Sequence, residues 1–193
     1  PGSETVPQDR QPPRHHRRRR LAHRRPRRGD WYDEQSMSAA LITATVISLV
    51  GLVFSFALGY MAGTADEVFR HTSLAFFCTM ITLLAHSMTM FYLIGKGRAI
   101  RDAVTEGGLT TDAVARVSAL RGPVFKLATV AIGLTMATAI FGGGVDTGVI
   151  PGGFHAMLAV LAIVANVVAL RAIVEAFTKS SRIVDEVNRD LGV

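Results

Sequence analysis

Three of the six histidines, His71, His86 and His155, sit in apolar runs, where an imidazole needs a partner. There it can act as a fixed hydrogen-bonding group, a proton carrier or a metal ligand. Placed at 100° per residue, His71, Cys78, Thr82, His86 and Thr89 fall within about 80° of one another on one helix. A second stripe aligns His155, Ala159, Ala162, Asn166 and Ile173. Both stripes are too polar for lipid and predict protein on that side.

The helices carrying the two stripes run in the same direction, and each begins near a histidine, so His71 and His155 are expected at similar depth. His86 lies about 22 Å further along its axis, at the ordinary helix rise. Two neutral imidazoles are the axial ligand set of a b-type haem. Ala75 and Ala159, one turn inward of each histidine, leave room for a macrocycle, and Arg70 is the candidate partner of a propionate. A divalent-metal site on the outer face is a second alternative, built from the same histidines with Asp66, Glu67 and Asp146. The plainest reading makes His71 and His155 interfacial residues, and makes His86, Asn166 and Thr82 intramembrane polar groups that fix helix packing through hydrogen bonds.

Enzyme chemistry finds no support in the sequence. No nucleophile elbow, HExxH, CxxC, paired intramembrane carboxylates or dinucleotide fingerprint occurs. Gly95-Lys96-Gly97 lacks the spacing and the preceding strand of a phosphate loop. The single cysteine, Cys78, lies inside a span and excludes an intrachain disulfide.

The elements that must position these residues are four charge-free runs, each long enough to cross about 30 Å of hydrocarbon as a helix. They predict an all-α integral membrane four-helix bundle, with spans at about 39–62, 71–95, 127–142 and 151–172. The first carries a small-residue stripe, Ala44, Ser48, Gly51, Ser55, Gly59 and Ala62, suited to close helix contact. The third places Thr129, Gly133, Met136 and Ile140 on one face, which reads as packing.

Between spans two and three, residues 97–121 read as two short helices broken at Gly107–Gly108. Thr110 is the expected cap of the second and Gly122–Pro123 its end. Gly142–Gly153 reads as a flexible turn-rich connector. Residues 173–193 continue as an amphipathic helix with apolar positions Ile173, Phe177, Val184, Val187 and Leu191, whose expected partner is the linker pair through Ile100, Val104, Val114 and Val117. The bundle thus occupies residues 37–177 and carries a small helical lobe.

The net charge of +6 is concentrated in residues 1–36, where ten arginines face five acids. That stretch, rich in Arg, Pro and His, cannot bury a core and is expected to be disordered. It reads as a topology anchor, as a binder of an anionic partner, or as non-native sequence in front of Met37. With the basicity confined there, nucleic acid is not an expected partner.

Orientation follows from the flanks. The linker and C-terminal segment hold ten Lys and Arg, while the opposite connectors hold Arg70 alone, so both termini and the lobe are expected in the cytoplasm. The location is a cell membrane, taken to be a bacterial inner membrane from the compact form. The sequence as a whole reads as a non-catalytic subunit, anchor or assembly partner in the bilayer, with a membrane-protein partner or a second copy beside it. A haem b electron-transfer subunit is the sharper alternative.

Overall fold

The computed structural model describes residues 28–192, with side chains from residue 35 onward. Expectations for the basic stretch before Arg28 lie outside the described residues. The chain divides into two units at Gln35, and the second runs from Ser36 onward.

Four helices make up the fold: α1 (Arg28–Met61), α2 (Ala65–Gly107), α3 (Ala113–Asp146) and α4 (Gly152–Leu191). All four are long and apolar enough to cross a membrane, and together they define an all-α, multi-pass bundle. At about 1.5 Å per residue, roughly 20 residues span the hydrocarbon. The 43 residues of α2 and the 40 of α4 therefore project well beyond it.

The bundle is apolar outside and polar inside, the arrangement lipid demands. Phe76, Phe77, Leu84, Phe91 and Ile140 are each more than 60% exposed, whereas Thr82, His86 and Thr89 are wholly buried. Several buried hydroxyls are satisfied within their own helices: Thr45 donates to the Leu41 carbonyl, Thr82 to that of Cys78 and Thr135 to that of Ala131. On α1 the small-residue face turns inward as its spacing predicts, and a Cβ at Gly51 would collide with Cys78 Sγ of α2. Helix α3 packs along both α2 and α4 more closely than α2 and α4 approach each other, as neighbouring and diagonal helices of a bundle do.

On α3 the inward face is not the predicted one. Thr129, Gly133, Met136 and Ile140 are exposed, and Val124, Ala128, Ala131 and Thr135 are buried. Alanines let α3 approach its neighbours closely, and the bulkier residues lose nothing by facing lipid.

Helix ends also differ from the sequence pattern. Thr64 and Glu67 form a capping box that starts α2 ahead of His71, with Thr64 Oγ1 accepting from the Glu67 backbone N–H and Glu67 Oε2 accepting from that of Thr64. Gly108, at φ 64°, closes α2 where the glycine pair predicts. The cap of α3 falls at Asp112 instead of Thr110, and Thr111 Oγ1 accepts from the Ala113 N–H.

Gly122–Pro123 does not end the helix, and Pro123 lies inside α3. Loss of one backbone donor costs about 3 kcal/mol in a helix interior. Val117 on one side and Val124, Ala128 and Ala131 on the other are almost fully buried, and that packing holds the helix through the defect. At its other end α3 runs through Gly142–Gly144 to Asp146, leaving only residues 147–151 as a turn, with Gly148 at φ 71°.

Two apolar clusters lie toward the charged end. Leu41, Leu93, Val124, Ile173, Ala176 and Phe177 close the bundle at its waist. Beyond them Ile100, Ala113, Val117, Ile183 and Val187 form the lobe core, joined by Val104, Val114 and Leu191. The C-terminal part of α4 thus covers the linker segments of its own chain.

Candidate functional site

The residues singled out by type come together at the end of the bundle opposite the lobe. The rings of His71 (α2) and His155 (α4) have centroids 6.3 Å apart and planes at 81°. Both histidines line a cavity of about 500 Å³ to which all four helices contribute. Its wall is mostly apolar and includes Ala75 and Ala159, the small residues one turn inward of each histidine.

Glycines admit the two rings. A Cβ at Gly59 would lie 2.7 Å from His71 Cε1, and one at Gly142 would lie 3.1 Å from His155 Cε1. His71 is further held through Nδ1, which bonds the Ser55 carbonyl at 2.8 Å and lies 3.3 Å from Ser55 Oγ. A carbonyl only accepts, so Nδ1 carries the proton and the lone pair is on Nε2. On His155 the corresponding Nδ1 is buried, and the Thr138 backbone lies beside the ring.

Below this cavity lies a second polar cluster. His86 Nε2 lies 2.9 Å from Asn166 Oδ1, and Asn166 Nδ2 donates to Thr135 Oγ1 at 3.0 Å and to the Ala162 carbonyl at 2.8 Å. Because Thr135 gives its own proton to Ala131, it can only accept from Asn166. That leaves Asn166 Oδ1 as the acceptor for a proton on His86 Nε2. Thr135 and Ala162 also line the cavity, so the cluster backs directly onto it. His86 Nδ1 and Thr89 Oγ1 remain buried without partners.

Other site expectations fare differently. Arg70 is exposed and is not among the cavity-lining residues. Of the acids in the divalent-metal alternative, Asp146 lines the cavity, while Glu67 turns its carboxylate back to the Gly63 and Thr64 backbone N–H groups. Among the described residues no group of three or more His, Cys, Asp and Glu is arranged to hold a metal ion. Thr82 serves its own helix through the Cys78 carbonyl.

Sequence reasoning alone did not single out Ser55, Gly59, Gly142 or Thr135 for these roles. The first two were legible as part of the small-residue stripe, but which histidine they serve depends on helix register.

Two imidazoles that share one metal, at about 2 Å per bond, have ring centres roughly 6.4 Å apart. The observed separation fits that arrangement, as does a cavity walled by small apolar residues. Comparison with known proteins adds no relative: no family model, curated protein or solved structure matches the chain.

Proposed function

We propose that this chain is a four-span membrane subunit that holds one b-type haem between α2 and α4, with His71 and His155 as axial ligands. The group supplies one-electron chemistry. The observation that carries the reading is the 6.3 Å separation of the two rings at the wall of a 500 Å³ cavity. Each remaining contribution belongs to the chain. His71 keeps Nε2 unprotonated by donating Nδ1–H to the Ser55 carbonyl, which also raises its basicity. Gly59 and Gly142 admit the rings, and the apolar wall lowers the local dielectric, which bears on the redox potential.

The anchor or assembly-partner reading accounts for the same architecture without a cofactor. It accounts less well for two histidines that meet at the wall of an open, mostly apolar volume. A haem-carrying subunit that also anchors a larger assembly reconciles the two. The ten-to-one distribution of Lys and Arg supports an orientation with the lobe and both termini in the cytoplasm and the histidine pair toward the outer face of a cell membrane.

Purified from cells with adequate haem supply, the protein should show a Soret band and, on reduction, a sharp b-type α band. The low-spin spectrum should vanish in His71→Ala and in His155→Ala and persist in His86→Ala. If no chromophore copurifies, or only His86→Ala removes it, the anchor reading stands instead.

A further inference from the structure

Two arginines of α3 meet opposite circumstances at the lobe end of the bundle. Arg116 is paired with Asp112 and with Glu186 of α4. Arg121 bonds no acid or other acceptor among the described residues, and its Nε is buried. It is nevertheless fixed in place. Its guanidinium lies on the α2 backbone at Gly97, where an added Cβ would fall 2.6 Å from Cζ and 3.1 Å from Nε, so only a residue without a side chain admits it. A half-buried guanidinium that the chain holds but leaves unpaired is costly until an anion from outside the chain completes it. Depth says which anion. Gly97 follows Lys96, the first charge after the uncharged run 71–95, and α3 carries no charge between Lys126 and Asp146. Along α2, Gly97 lies about 39 Å from His71, against about 30 Å of hydrocarbon, so Arg121 stands at the level of the lipid headgroups. Arg101, one turn beyond Gly97 on the same side of α2, is exposed there as well.

We propose that Arg121, with Arg101, binds the phosphodiester of an anionic phospholipid in the leaflet on the lobe side. The planar fork of a guanidinium donates two parallel N–H bonds to phosphate oxygens, and pinning it on Gly97 removes most of the entropy that a free arginine would lose on binding. Each basic residue at a bilayer surface strengthens attachment to anionic lipid about fivefold, so two arginines favour a lipid of net negative charge over a zwitterionic one. The acyl chains then run along the lipid-facing side of the spans, where Phe91 and Ile94 of α2 are exposed just inside that level. The site lies at the opposite end of the bundle from the histidine pair and is independent of what the cavity holds.

The test titrates the full-length protein in a neutral detergent with dioctanoyl phosphatidylglycerol or dioctanoyl phosphatidylcholine and counts bound lipid by native mass spectrometry. The wild type should retain phosphatidylglycerol in preference to phosphatidylcholine by about fivefold or more, and millimolar inorganic phosphate should not displace it. Arg121→Gln should weaken that retention about fivefold, whereas Arg182→Gln, at an exposed arginine further along α4, should leave it unchanged. Equal retention of the two lipids, displacement by inorganic phosphate, or the same effect from Arg121→Gln and Arg182→Gln each overturns the proposal. Should Arg121→Gln fail to give folded protein, Arg101→Gln with Arg121 intact carries the same expectation, and unchanged retention in that variant overturns the site.

Discussion

His86 Nε2 and Asn166 Oδ1, 80 positions apart in sequence, meet at 2.9 Å in the centre of the bundle. The bond ties α2 to its diagonal partner α4, and Thr135 draws in α3 through Asn166 Nδ2. Nothing charged is involved. The cluster joins three spans by geometry alone, at the depth where lipid offers no alternative partner.

Breaking that cluster from one side should therefore cost more than removing it. Asn166→Leu leaves His86 buried without its acceptor, and we expect a loss of about 1–3 kcal/mol, the usual cost of orphaning a buried polar group. Adding His86→Phe should recover part of the loss. Reversible unfolding in detergent of the two single variants and the double variant measures the coupling, and strict additivity would show that the bond contributes nothing.

The contact between α1 and α2 at Gly51 should be equally diagnostic. Since a Cβ there collides with Cys78 Sγ, Gly51→Ala should destabilise the bundle by about 1–3 kcal/mol through overpacking. Cys78→Ala in the same chain should restore most of it, because among the described residues the Cys78 side chain supplies the atoms within reach of that Cβ. A thermal midpoint for the double variant no higher than for Gly51→Ala would place the strain elsewhere.

Orientation can be read chemically. In a Cys78→Ser background, single cysteines at Thr64 and Thr147 should react with an impermeant maleimide added to intact cells, and one at Thr105 should react only after lysis. The opposite pattern inverts the bundle and moves the histidine pair to the cytoplasmic side.

In the lobe, beyond the apolar spans, Arg116 of α3 bonds Glu186 of α4. That bond holds the Glu186 carboxyl below the usual carboxylate range. A carboxylate lowered on folding stabilises at pH above its unfolded value, and the contribution is lost as pH falls through the folded one. The lobe should therefore loosen in mild acid, and Arg116→Gln should flatten that dependence. Both groups are well exposed, so the change should be small and should shrink in high salt. Hydrogen exchange at residues 100–117, followed between pH 3 and 7 in the two proteins, measures it; identical profiles would remove the pair from the account.

Much of this protein follows from sequence alone because a bilayer makes composition decisive. Four charge-free runs had to become helices, since backbone groups in hydrocarbon must bond within their own segment. The stripes through His71, Thr82, His86 and Thr89 and through His155 and Asn166 had to face protein, and both do. The lobe partners stood at heptad-like spacing, so that arrangement was legible as well.

Tertiary structure decided what local pattern leaves open. On α3 almost every residue tolerates lipid, so periodicity could not choose between the face of Met136 and the face of Thr135; close approach to α2 and α4 chose the alanines. Packing on both sides of Pro123 overrode its ordinary role as a stop. The separation of His71 from His155 depends on how α1 and α3 slide along their neighbours to place Ser55, Gly59 and Gly142. Register of that kind is set by side-chain interlocking across helices far apart in sequence, and no single helix encodes it.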